Sequence, residues 1–162
     1  MDSHRTTVQA LLGQAAAEHQ QLMARLPPDV SESIPVDAQG VTRAIDHLAS
    51  AVGFSDSDRR ELIRPHGVNP AVMHARVFGA APLTRETVIG AFVDGARVRA
   101  DALSALADEA GGEPLGLEVR TLLSENPLPA PTDENAVPTL RTVYLAHERA
   151  ALLIATALDG QR

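Results

Sequence analysis

The sequence predicts an all-α protein: a single domain of residues 1–162, built as an antiparallel helical bundle of three long helices plus several short helices. Apolar residues make up 44% of the chain but aromatic residues only 2%, so the core must consist of small aliphatic side chains that let helices approach closely. These residues recur at the spacings of a helix face. No stretch of useful length alternates apolar and polar residues, so no strand is predicted.

The first long helix is predicted from about His4 to Leu26. Asp2 and Ser3 can cap its beginning, and two successive prolines end it. The segment from Pro27 to Gly40 is rich in Pro, Ser and Asp and is interpreted as a loop.

Short helices are predicted to follow, separated by Gly and Pro. They run from Val41 to Val52, from about Asp56 to Arg64, and from Asn69 to about Phe78. The second long helix begins after its cap residue Thr84 and ends near Ala110, where Gly111-Gly112 stop it. A short helix over Leu115–Ser124, a linker over Asn126–Val137 and a third long helix over Pro138–Leu158 complete the chain.

Composition and charge exclude several classes of function. The net charge of −7 argues against general affinity for nucleic acid or anionic lipid. All 14 basic residues are Arg and Cys is absent, so lysine Schiff bases, phosphate-loop lysines, thiol catalysis and disulfides are excluded. The N-terminus does not resemble a signal peptide and no apolar run could span a bilayer, so a soluble, cytoplasmic protein is expected.

Each predicted long helix carries one basic or titratable side chain in the middle of its apolar stripe, namely His19, Arg99 and His147. If the helices pack in register, these three side chains meet at one level of the bundle. An unpaired buried cation costs several kcal/mol, so a partner is required. Glu18, Glu148, the Tyr144 hydroxyl or a bound anion could supply it.

One interpretation of this set is structural polar packing, since buried His is common and Arg often extends its head to water. The leading functional hypothesis is a site for a small anionic or polar ligand in a non-enzymatic protein, without a cofactor. Its residues are His19, Arg99, Tyr144, His147 and Glu148, and Gly95 is expected to open space beside Arg99. A protein partner, including a second copy in a homo-oligomer, is the other expected occupant.

A metal-dependent helical-bundle enzyme is an alternative, because Glu18-His19 and His147-Glu148 combine carboxylate with imidazole. However, adjacent residues point about 100° apart on a helix, and the Glu-x-x-His motif of di-iron bundles is absent. No metal ligand is therefore predicted, and no catalytic motif is found. Asp94, Asp101 and Asp108 repeat every seventh residue opposite the apolar stripe and are interpreted as a solvated face.

Residues 48–56, Leu-Ala-Ser-Ala-Val-Gly-Phe-Ser-Asp, followed by Gly-Val-Asn-Pro at 67–70, resemble the second helix-turn-helix of AraC-type transcription regulators. The resemblance covers about 30 residues. It implies a helix-turn-helix-like segment at 41–78 and, as an alternative function, a DNA-binding regulator that uses Arg59, Arg60 and Arg64.

Overall fold

A computed structural model describes residues 2–23, 26–63, 79 and 84–161, and all regular structure within these residues is α-helical. The helices are α1 (Asp2–Met23), α2 (Pro28–Ala51), α3 (Asp56–Ile63), α4 (Arg85–Ser124) and α5 (Ala136–Asp159). The predicted all-α class is confirmed. The helix predicted at Asn69–Phe78 lies outside the described residues.

The main correction concerns residues 28–40, which were predicted to form a loop and instead form the first half of α2. Pro28 occupies the first turn, where a missing N–H is tolerated. Apolar side chains then recur at helical spacing and are at most 2% exposed, namely Val30, Ile34, Ala38 and Val41. Burial of this face outweighs the low helix propensity of Pro and Ser. The prediction of three long helices is therefore wrong, because α2 is a fourth; their antiparallel order stays a prediction.

Helix α4 consists of two arms joined at Gly112, which has φ +69° and ψ −162°. The first arm begins as predicted, with the Thr84 side chain accepting a hydrogen bond of 3.1 Å from the Thr87 N–H. Arg120 of the second arm reaches back to Asp108 of the first, with Nη1 at 2.7 and 2.9 Å from the two carboxylate oxygens. Twelve residues of straight helix would span about 18 Å, so the second arm folds back on the first.

The core is formed mainly where α5 packs on α2 and α4, with α1 packed against α2 and α4. Its side chains are almost entirely Ala, Val, Leu and Ile, as the composition predicts, with Phe92 and Tyr144 as buried aromatic rings. Among the described residues, the largest fully buried side chain is that of Arg99. Within the described ranges, no helix has the length and apolar character needed to cross a membrane.

Candidate ligand site around His147

Arg99 lies on α4 among the apolar side chains that face α1 and α5, and none of its surface is exposed. Its Nε donates a hydrogen bond of 2.8 Å to Nδ1 of His147. Its Nη1 donates to Oε2 of Glu18 at 2.5 Å and to Oε1 of Gln14 at 3.0 Å. One guanidinium therefore joins three helices through directed hydrogen bonds, two of them to α1.

On α1, the structure confirms Glu18 as one of the predicted candidate partners of Arg99, whereas His19 does not take the place expected for it. Glu18, not the neighbouring His19, supplies the charge that neutralises Arg99. His19 is half-buried, and its Nε2 has no hydrogen-bond partner among the described residues. The expected space beside Gly95 is occupied by Gln14, since a Cβ at Gly95 would lie 2.7 Å from the Gln14 amide nitrogen.

Tyr144 joins the buried cluster through its ring, whose centroid is 5.1 Å from Cζ of Arg99. This distance permits a cation–π interaction. Burial, and secondarily the nearby Glu18 carboxylate, raise the pKa of Tyr144 well above its usual value, so the phenol stays protonated. Its hydroxyl, Nη2 of Arg99 and Oε1 of Glu18 are buried without partners in the described part of the chain.

His147 is fixed in one tautomer by Arg99. Because the guanidinium is always protonated and donates to Nδ1, the ring must be neutral with its proton on Nε2. Burial, and then the positive charge of Arg99, hold the pKa of His147 well below its ordinary value. His147 is therefore a hydrogen-bond donor at Nε2 across the physiological pH range.

Glu148, the next residue of the predicted site, points in another direction. Its carboxylate lies against α2, where Oε2 is 2.6 Å from the position that a Cβ would take at Gly40. Adjacent helix residues diverge by about 100°, so Glu148 and His147 serve different contacts.

His147 also forms part of the wall of a surface cavity of about 300 Å³, which lies between the two arms of α4, the following turn and α5. Nδ1 is occupied by Arg99, so Nε2 is the ring nitrogen left to bind a ligand. The other lining residues are Ala100, Asp101, Ser104, Arg120, Leu123, Ser124, Asn126, Pro127 and Leu128.

Sequence reasoning did not find these cavity residues, although it placed the break that creates the cavity at Gly111-Gly112. The three aspartates interpreted as one solvated row have different surroundings. Asp94 pairs with Arg97 at 3.0 Å and Asp108 with Arg120, whereas Asp101 lines the cavity. The sequence feature that could have indicated this difference is the Gly111-Gly112 break, because a break in a helix can bring residues before and after it close together.

The structure also describes residues that belong to the metal-site and DNA-binding alternatives. Across the described ranges, no group of three or more His, Asp or Glu side chains is arranged to hold a metal ion. Arg59, which belongs to the DNA-binding alternative, bonds to Asp46 at 2.9 Å, to the Phe54 carbonyl and to Asp56, and so links α3 to α2. Arg60 is exposed, and Arg64 lies outside the described residues.

No protein-family model, curated protein or solved structure is significantly similar to this chain.

The buried ion pair can be tested with Glu18→Gln. This change leaves the Arg99 guanidinium buried without a counter-charge, so we expect the free energy of unfolding to fall by about 3–5 kcal/mol. Asp94→Asn, which breaks an exposed pair on the same helix as Arg99, is the matched control and should cost less than about 1 kcal/mol. Chemical denaturation measures both, and equal losses would contradict the role given to Glu18.

The low pKa of His147 predicts a specific pH dependence of stability. Above pH 6.5 the ring is neutral in both states, and below it the unfolded chain takes up a proton that the folded protein does not. Stability is therefore full above pH 6.5 and falls as the pH drops. Between pH 7.5 and 5.5 this group alone should cost about 1.4 kcal/mol.

The variant His147→Asn places an amide oxygen near the position of Nδ1 and removes the titration. Denaturation at the two pH values should therefore show a smaller pH dependence in this variant than in the unmodified protein. An unchanged pH dependence would mean that the imidazole protonates as readily in the folded protein as in the unfolded chain.

Proposed function

We propose that this chain is a non-enzymatic helical-bundle protein that binds a small polar ligand in the cavity beside His147. The observation that carries the proposal is the fixed tautomer of a ring in the cavity wall: Arg99 occupies Nδ1, which leaves the Nε2–H as the donor that the ring has for a ligand. A donor oriented by a buried side chain loses little conformational freedom when it binds a ligand.

In this proposal Arg99 and Glu18 position His147 and do not touch the ligand. Arg99 has no exposed surface, and Glu18 neutralises its charge. Tyr144 is also fully buried, and its ring packs near the guanidinium. Of the residues predicted to line one ligand pocket, Arg99 and Tyr144 are thus assigned to an inner support and His147 to the wall of the cavity. His19 and Glu148 belong to neither.

The chemistry of His147 suits recognition rather than proton transfer. A general base needs an unprotonated nitrogen facing its substrate, but the unprotonated Nδ1 is held by Arg99 and Nε2 carries the proton. The ligand should therefore present an acceptor such as a carbonyl or carboxylate oxygen. Because the ring stays neutral, its affinity for that oxygen should not depend on His147 protonation near neutral pH.

A screen of small polar fragments by NMR tests this proposal. Fragments that bind should shift the backbone amide signals of cavity residues such as Asp101, Ser104 and Asn126. His147→Asn keeps an acceptor for Arg99 but lacks the outer N–H, so these fragments should lose at least about tenfold in affinity. His147→Gln can extend an amide N–H toward the cavity and is the matched variant that should retain part of the affinity.

The screen would contradict the proposal if no fragment shifted these signals, or if His147→Asn bound the same fragments with unchanged affinity. The unfolding midpoint of each variant, recorded in parallel, separates loss of binding from loss of fold.

Self-association is a second candidate function, favoured by the outer face of α5. Leu145 and Leu152 are seven residues apart on this helix and are 54% and 44% exposed. Residues at this spacing share one face, and exposed apolar side chains on one face favour contact with another protein surface. A second copy of the chain is the simplest partner.

If α5 mediates a homodimer, the double variant Leu145→Asp with Leu152→Asp should be monomeric, because burying two carboxylates at an apolar contact is costly. Light scattering after size-exclusion chromatography measures the mass. The double variant Leu117→Asp with Val98→Asp changes exposed apolar side chains on α4 and is the control that should leave the mass unchanged. A monomeric unmodified protein would refute this candidate.

A further inference from the structure

We infer that the ligand of the His147 cavity belongs to the α-amino acid class: a small molecule with an ammonium group, an acceptor oxygen and an aliphatic side chain. This inference rests on the proposed function and specifies its ligand. It follows from the charges, the hydrogen-bonding groups and the apolar surface that the cavity wall presents.

The charge of the wall favours a cationic group. Arg120 is the cation among the lining residues, and both oxygens of Asp108 already accept hydrogen bonds from its Nη1. Asp101 has no ion-pair partner in the described part of the chain. One carboxylate of the wall is therefore unpaired, which opposes a purely anionic ligand and favours an ammonium group.

Two further side chains of the wall each have one donor already in use. Asn126 donates from Nδ2 to the Leu122 carbonyl at 3.0 Å, and Ser124 donates from Oγ to the Thr121 carbonyl at 2.9 Å. The oxygens of both side chains can still accept hydrogen bonds. An ammonium group has three donors and no acceptor, so it complements these oxygens together with Asp101.

The other features of the wall complement the rest of an amino acid. The fixed N–H of His147 can donate to a carboxylate oxygen. Apolar groups suited to an aliphatic side chain come from Ala100, Leu123, Pro127 and Leu128. A volume of about 300 Å³ is at the small end of ligand pockets, which fits one amino acid better than a nucleotide or a peptide.

Isothermal titration calorimetry with three matched probes tests the inference. L-Leucine carries all three groups, 4-methylpentanoate lacks the ammonium group, and isopentylamine lacks the carboxylate. We expect L-leucine to bind most tightly and each of the other two at least about tenfold more weakly. Asp101→Asn should weaken L-leucine at least about tenfold, whereas Asp94→Asn, which removes an equal charge from the same arm of α4 outside the cavity, should not.

The possible results distinguish an error in the ligand class from an error in the proposed function. The amino acid assignment is overturned if 4-methylpentanoate binds as tightly as L-leucine, if Asp101→Asn binds L-leucine like the unmodified protein, or if no probe binds while other fragments bind in a His147-dependent way. If neither the probes nor any fragment binds at this cavity, the proposed function itself is overturned.

Discussion

A single guanidinium, buried where three helices meet, sets the constraint that organises the rest of this structure. A buried cation needs a counter-charge and hydrogen-bond acceptors in place of the water that it has lost. Arg99 meets this condition with a carboxylate and an amide from α1 and an imidazole nitrogen from α5. Since the hydrogen bonds are directional, they also fix the register of these helices, which an aliphatic core of Ala, Val, Leu and Ile would specify less sharply.

The same constraint connects the interior to the surface. Arg99 determines which nitrogen of His147 carries the proton, and His147 lies in the wall of the cavity formed by the folded-back arm of α4. A change at Glu18 can therefore reach the cavity through Arg99 and the orientation of one ring. In the proposed function, the residues that hold the donor in place are therefore different from the residues that would select the ligand.

Much of this arrangement could be predicted from particular residues. The position of Arg99 within an apolar stripe predicted its burial and its need for a partner, and Gly111-Gly112 predicted the break in α4. The helical state of residues 28–40 could not be predicted from local composition, since it depends on burying Val30 and Ile34 against other helices. Whether Glu18 or His19 bonds to Arg99 depends on the rotation of α1 about its axis. Whether Asp101 lies at a cavity depends on the direction of the second arm of α4.

The conformation at Gly112 links the shape of the cavity to the identity of one residue. Positive φ combined with ψ near 180° is a region that essentially only glycine occupies, because a Cβ would collide with the backbone there. The two arms of α4, which form opposite walls of the cavity, are thus joined at a residue whose conformation strongly favours glycine. If the cavity binds a ligand as proposed, substitutions of its lining residues would change ligand preference on one scaffold, whereas replacing Gly112 would disturb the cavity without changing any lining residue.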